Sequence, residues 1–396
     1  MMNRNKLSRK RSIAIILLAV IGIFALCTPD LNTRYLKANT RDAMKFEFSE
    51  ETLKQAADFQ QQGITFNSTI ATAFFEFENS HHSHERYWGM ATCSLCINDA
   101  MVIFTNVPEK IAQLREHAKD RTVIVPMEPE DLQVGNDIHI SDEEWKREQE
   151  TTTSAYKGAN ININLFKIWA GKSWMATQAA ELNPFGSDVY HWMDVGHFRD
   201  GPNYCGETVV RHPEIVPQDS MLMFMRRDLY EQFDHPESVV VEDDFGSTFI
   251  PGGWFAGRAH VWPKFLQRFE ETIAMYLMTG VSLFEDQALL ETTCIRNEGL
   301  CSLVRRDNHM GYVDPSEQFE KCNNWVECKE KAGWRQGSPS NFFGMRYYFW
   351  HGGNFRFWDP ATGFPTEDQD FALYHPFQDA EATKRLLARR LVKVKN

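Results

Sequence analysis

Apolar residues recur along this chain with two periods, and the alternation of the two outlines an α/β domain. Thr69 to Phe77, Met101 to Thr105 and Thr122 to Val125 are short β-branched and aromatic runs bounded by turn formers, which read as strands. Between them, Tyr87 to Ala100 and Glu109 to Lys119 repeat apolar positions at helical spacing. Strand, helix, strand, helix, strand predicts a mostly parallel sheet with helices on its faces. A long acidic stretch from Glu128 to Thr153 breaks the pattern and reads as a surface excursion. Helical spacing returns from Ala155 to Glu181, a segment that carries Lys157, Lys167 and Lys172. The turn formers Asn183, Pro184, Gly186, Ser187 and Asp188 then introduce a buried-type strand, Val189 to Met193. Met221 to Met225 predicts another strand, Pro263 to Gly280 a helix, and Phe284 onward a further one. Arg346 to Trp350 is a late aromatic strand, and residues 380–396 read as a basic C-terminal helix.

The two ends depart from this pattern. Arg4, Lys6, Arg9, Lys10 and Arg11 precede an uncharged apolar run, Ile13 to Cys27. That run is about fifteen residues long, against the roughly 20 of a typical membrane span. Basic residues ahead of a first hydrophobic segment keep that flank cytoplasmic and send the rest of the chain into the secretory pathway. A type II signal-anchor at 12–28 is the expectation, with a cytoplasmic tail at 1–11 and residence in the Golgi or endoplasmic reticulum membrane. Cleavage near Ala25 and Cys27 with secretion is the alternative. Residues 29–66, polar with a modest helical pattern at Glu50 to Gln62, read as a stem, and 67–379 as the folded domain. Asn67, followed by Ser68 and Thr69, is the glycosylation sequon at the domain entrance.

Composition narrows the partners. The chain has 396 residues and a net charge of −12, with its basic residues gathered at the two ends, so the acidic middle excludes a nucleic-acid partner. Eight cysteines suit an oxidising compartment. Cys294 with Cys301, and Cys322 with Cys328, are spaced for local disulfides, whereas Cys93 and Cys96 have no second pair with which to hold zinc and read as two half-cystines.

The chemistry gathers where strands end. Asp194 closes the strand beginning at Val189, with Gly196 two residues on to let the backbone turn. Ligands of open α/β sheets bind beyond the carboxyl ends of the strands, and a carboxylate there can hold Mg²⁺ or Mn²⁺ against a diphosphate. Capping of the following turn is the plainer role. Glu242, Asp243 and Asp244 also end an apolar run and compete for the metal. Gly252 and Gly253, set between Phe249 and Trp254, allow a backbone to approach a flat ligand. Glu285 and Asp286 stand in the first turn of a helix, where charge compensation alone would also place them. His351 follows the late aromatic strand and is a candidate neutral metal ligand. Asp368 and Asp370 form the one literal Asp-x-Asp, but in a stretch read as a loop with no strand before it, so they are set aside.

Three blocks together resemble the HtrL/YibB-like family of candidate glycosyltransferases: Thr72 to Phe75 with Val102 to Asn106; Asn183 to Gly196 with Arg199; and Ile250 to Gly257 leading to Glu285, Asp286 and Gln287. The resemblance covers roughly residues 68 to 355 and implies a GT-A-like fold, a nucleotide-sugar donor and a divalent metal, Mn²⁺ in the first instance. The third block is also similar to the blood-group-type galactosyl- and N-acetylgalactosaminyltransferases. That similarity implies Gly252, Gly253 and Trp254 at the sugar and Glu285 or Asp286 as the catalytic carboxylate. Where such enzymes have Asp-x-Asp, this chain has Asp194, Val195 and Gly196, with one carboxylate, and His351 is the expected second metal ligand. Thr72, Phe74 and Asn106 would surround the base and ribose, and Lys172 would meet the donor phosphates. The acceptor is a glycan or glycoconjugate. A non-catalytic lumenal sugar- or protein-binding module on the same scaffold is the alternative, and a two-carboxylate glycoside hydrolase a third reading.

Overall fold

One eight-stranded mixed sheet organises the domain, and five of its strands arise where the apolar runs predict them. The computed structural model describes residues 46–78, 82–151, 161–198, 204–224, 250–283, 286–305, 354–358, 365–370 and 372–374. Strands β1 (Ser68–Phe74), β2 (Met101–Thr105), β3 (Thr122–Pro126) and β4 (Val189–Met193) are parallel, in the order β3-β2-β1-β4. The second half adds β5 (Met221–Phe224), β6 (Trp254–Arg258) and β7 (Cys301–Arg305); β6 lies antiparallel between β4 and β5, and β5 pairs parallel with β7. Ahead of β1 stands helix α1 (Glu50–Gln61); α2 (His84–Leu95) and α3 (Pro108–Leu114) link the first strands; and α4 (Asp142–Thr151) and α5 (Ile163–Leu182) lead into β4. Helices α6 (Trp262–Thr279) and α7 (Asp286–Arg296) join β6 to β7. A two-stranded unit of β8 (Asn354–Trp358) and β9 (Pro365–Asp370), and β10 (Ala372–Tyr374) antiparallel on β7, complete the described elements. The result is a Rossmann-like α/β architecture.

Alternation along each strand divides the core in two. Ala71, Phe104, Tyr190, Trp192 and Phe255 face a layer that includes α5, α6 and α7, while Ile70, Phe74, Ile103, Met193 and Trp254 face the layer of α2. Helix α5 is the one that matters for the site. It is capped by Asn162, whose side chain accepts from the Asn164 N–H, and it ends at Asn183 in the left-handed conformation with φ 40°. Fifteen of its 20 residues are buried, as expected of a helix apolar on all sides and covered on both. Gly171 lets Leu132 come in so closely that a Cβ there would strike it.

Chain order fixes where a ligand would go. From β1 the chain moves outward through β2 to β3, then crosses back to lay β4 on the other side of β1. Beyond the carboxyl ends of β1 and β4 lies the switch-point crevice of such sheets.

Several expectations need correction. Residues 128–151 are not a surface excursion: Leu132, Val134, Ile138, Ile140 and Trp145 are core residues, and α4 ends the segment. Scattered apolar residues in an acidic background hid this. Helix α1, inside the stretch read as stem, docks on the domain, with Phe59 in the core and Gln55 Nε2 donating to the Thr122 carbonyl at 2.9 Å. Asp368 and Asp370 sit in β9, not in a loop. Cys96 pairs with Cys205 and Cys294 with Cys301, while Cys93 is an exposed free thiol rather than a half-cystine. Asn67 is exposed just before β1. Among the described residues no helix is long and apolar enough to cross a membrane; the candidate anchor at 12–28, the tail at 1–11, Cys322, Cys328 and the basic segment 380–396 lie outside them.

Candidate functional site

Antiparallel pairing of β4 with β6 brings two of the sequence blocks together. Met193 stands opposite Trp254, so the residue after β4 meets the residue before β6, and the Asp194 N–H donates to the Gly253 carbonyl at 2.8 Å. The His197 N–H returns to the Asp194 carbonyl at 2.8 Å and closes the turn. Gly196 is not among the positive-φ residues, so this turn does not use the left-handed freedom of glycine. Trp192, two residues back on the same face of β4, donates its Nε1–H to Asp194 Oδ1 at 2.8 Å.

Into this corner α5 sends Lys172. Its Nζ lies 2.9 Å from Asp194 Oδ1 and 3.0 Å from Oδ2, 2.7 Å from Asp286 Oδ2 and 3.1 Å from the Gly252 carbonyl. An ammonium has three hydrogens, and here two carboxylates and a carbonyl receive them. Asp286 opens α7, where the helix dipole favours a negative group. Gly252 has a plain steric reason to be glycine, since a Cβ there would overlap the Asp286 carboxylate. The side chains of Lys172 and Asp286 are 5% and 7% exposed and that of Asp194 is 30% exposed, so Asp194 is the member that meets solvent.

Burial pulls the Lys172 ammonium down, but Asp194 and Asp286 outweigh it and hold its pKa above the ordinary lysine value. Burial pushes the Asp286 carboxyl up, with the Asp194 charge adding to it and Lys172 opposing. Both shifts favour keeping protons on the cluster. The charged ammonium is the part fixed by geometry, because each of its hydrogens has an acceptor.

Thr72 is fully buried, and Phe74, also buried, packs on Trp88 with ring centroids 4.6 Å apart. Asn106 joins the chain after β1 to the end of β2: its Oδ1 accepts from the Glu76 N–H at 2.8 Å and its Nδ2 donates to the Glu76 carbonyl at 2.9 Å. Trp254 turns its side chain to the opposite face of the sheet, where its Nε1–H donates to His191 Nδ1 at 3.1 Å and its ring meets His197 at 4.6 Å. It therefore stands behind the crevice rather than in it. Glu285, His351, Arg199, Glu242, Asp243 and Asp244 lie outside the described residues.

Trp192 as a partner of Asp194, and Lys172 as the centre of the cluster, were not legible as such. A signal for Lys172 exists: between Phe166 and Ala180 the only charges are Lys167 and Lys172, in a helix otherwise apolar on every side. Lys167 finds Asp142 at 2.7 Å; Lys172 finds the site.

Between Asp194 and Asp286 a divalent metal does not fit, because an ammonium holds the place where an ion would bridge them; His351, the expected second ligand, lies outside the described residues. What the corner offers chemically is a half-exposed carboxylate, braced from behind, at the switch-point edge of a parallel sheet. No protein-family model matches this chain, and neither does any curated protein.

Proposed function

We propose that the chain is a glycosyltransferase with a GT-A-like domain, moving a sugar from a nucleoside-diphosphate donor to an acceptor glycan in the secretory pathway. The observation that carries this reading is the braced carboxylate Asp194 at the carboxyl edge of β4, beside the backbone of Gly252 and Gly253. In such a transfer the bond between the anomeric carbon and the phosphate oxygen breaks, the acceptor hydroxyl oxygen bonds to that carbon, and its proton passes to a base. The nucleoside diphosphate departs. Asp194 meets the donor from the crevice, accepting hydrogen bonds from sugar hydroxyls, and Lys172 fixes its position. The base is assigned to the Glu285–Asp286 pair at the start of α7, of which Asp286 is 2.7 Å from Lys172. The Cys96–Cys205 and Cys294–Cys301 bridges support an oxidising compartment, and an anchor at 12–28 would retain the protein at its membrane.

The test is release of nucleoside diphosphate from a panel of nucleotide sugars offered with glycan acceptors. One donor should be turned over, and Asp194→Asn should lower kcat/KM about 100-fold in protein that remains folded. A second reading draws on the engagement of all three Lys172 hydrogens, which leaves none for a leaving phosphate: a lumenal module that binds a sugar without transferring it. Saturable binding of a nucleotide sugar or glycan with no diphosphate release from any donor would decide for that module.

A further inference from the structure

Two carboxylates facing one another at the edge of a sheet ordinarily need a cation between them, and in this chain the cation is covalent. We propose that Lys172 is the resident cation of the Asp194–Asp286 pair, filling the position that a divalent ion would occupy, so that the pair takes up no metal in the native protein. The distances carry the argument. The Lys172 Nζ lies at 2.7 Å from Asp286 and at 2.9 Å and 3.0 Å from Asp194, the range of charge-assisted N–H···O bonds. A divalent ion binds oxygen at about 2.0–2.6 Å, so it cannot enter between these oxygens while the ammonium stays.

The ammonium is also enclosed. The lysine side chain is 5% exposed, its third hydrogen is on the Gly252 carbonyl at 3.1 Å, and α5 is buried along both flanks. Charge count points the same way. With both carboxylates ionised, the pair and one ammonium carry a single negative charge; a divalent ion added to all three would leave the corner positive. Without the lysine the same ion would balance the two carboxylates. Steric evidence agrees, because the space that Gly252 keeps open is filled by the Asp286 carboxylate and not by room for a hydrated ion.

The inference concerns the site's cation. Its test reads ion uptake and not turnover, so it can fail while the transferase reading stands, and the reverse. Mn²⁺ alone is titrated into the full chain and followed by electron paramagnetic resonance, with the melting temperature recorded in parallel. The wild type should show no Mn²⁺ uptake that Asp194→Asn reduces, and no Mn²⁺-dependent rise in melting temperature. Lys172→Met should melt at a lower temperature, bind one Mn²⁺ per chain at least tenfold more tightly than the wild type, and regain several degrees when the ion is added. Adding Asp286→Asn to Lys172→Met should abolish that gain. Should Lys172→Met not fold even with Mn²⁺ present, the wild-type comparison with Asp194→Asn decides alone. One Mn²⁺ per wild-type chain, weakened tenfold or more by Asp194→Asn, would overturn the proposal. A folded Lys172→Met that ignores Mn²⁺ would overturn it as well.

Discussion

The sheet carries a second buried cation at its other edge, and the two differ in what their bonds leave exposed. At the amino-terminal ends of β2 and β3, Arg115 is 1% exposed and Asp99 6% exposed. The guanidinium donates to the carbonyls of Leu95, Ile97 and Asp99 at 2.9, 2.5 and 2.9 Å and to Thr122 Oγ1 at 2.9 Å. The Asp99 carboxylate accepts the N–H groups of Val209 and Val210 at 2.7 and 2.9 Å. Nearly every bond there closes on backbone, and beside it Cys96–Cys205 ties the returning loop to the end of α2. At the carboxyl edge, Lys172 closes instead on two side chains, one of which keeps a face toward solvent. Both clusters satisfy their buried charges. The first uses them up in holding chain segments together, and the second leaves a carboxylate presented where ligands of such sheets bind.

The largest effect is expected at Arg115. Arg115→Met leaves the Leu95, Ile97 and Asp99 carbonyls and Thr122 Oγ1 without their donor and removes the positive charge beside the Asp99 carboxylate; loss of one partner from a buried charged cluster costs about 3–5 kcal/mol. Chemical denaturation should show a loss of that size. Transfer activity per folded molecule should stay within about twofold, since the cluster stands at the far edge of the sheet. An Arg115→Met protein that stays folded but loses turnover would mean that the two edges are coupled.

Asp194→Asn inverts the outcome. The variant keeps the Trp192 contact and the shape of the corner, and Lys172 retains Asp286 as its counter-charge, so the stability loss should be about 1–2 kcal/mol, smaller than at Arg115. Turnover should fall about 100-fold, equivalent to about 2.7 kcal/mol of transition-state stabilisation. A drop in melting temperature with unchanged kcat/KM would place Asp194 with Asp99, as a brace and nothing more.

Much of this contrast lay beyond the reach of the sequence, for physical reasons. Strands β1 to β5 follow from runs of β-branched and aromatic residues, and α6 from its apolar spacing, because local chemistry decides those elements. Asp194 and Asp286 stand out because each begins or ends an element. Their meeting depends on β6 running backwards beside β4 and on α7 starting under Gly252, which are matters of long-range topology. The letter Lys does not say whether residue 172 is in water or between carboxylates; only the apolar character of the rest of α5 hints at it. Asp99 and Arg115 escaped notice because their partners are backbone groups, which leave no motif. Trp254 faces the wrong side for the role expected of it, since Gly253 and Trp254 are consecutive across the start of a strand and only the backbone of the first reaches Asp194.

The smallest effect is expected at Asp99, and it has a distinctive shape. Burial pushes its pKa from 3.8 up to about 6, against the pull of the Val209 and Val210 N–H groups and Arg115. A folded-state pKa above the unfolded value means that the native protein holds this proton more tightly. The contribution is therefore most favourable below about pH 4, declines as pH rises toward 6, and is constant above that, with a slope of at most about 1.4 kcal/mol per pH unit. Asp99→Asn removes the titration. At pH 7 two consequences oppose each other: the amide cannot accept from both N–H groups, but no charge is buried, and the net change should be about 1 kcal/mol or less. Between pH 4 and 6 the wild type should lose stability relative to the variant as pH rises. Urea unfolding of both proteins at half-unit steps from pH 4.5 to 7.5 gives that difference directly, and other carboxylates cancel from it. A difference that stays constant over the whole range would mean that Asp99 is ionised throughout. The amino-terminal cluster would then be a true charge pair with Arg115, closer in kind to the Lys172 corner than its backbone contacts suggest.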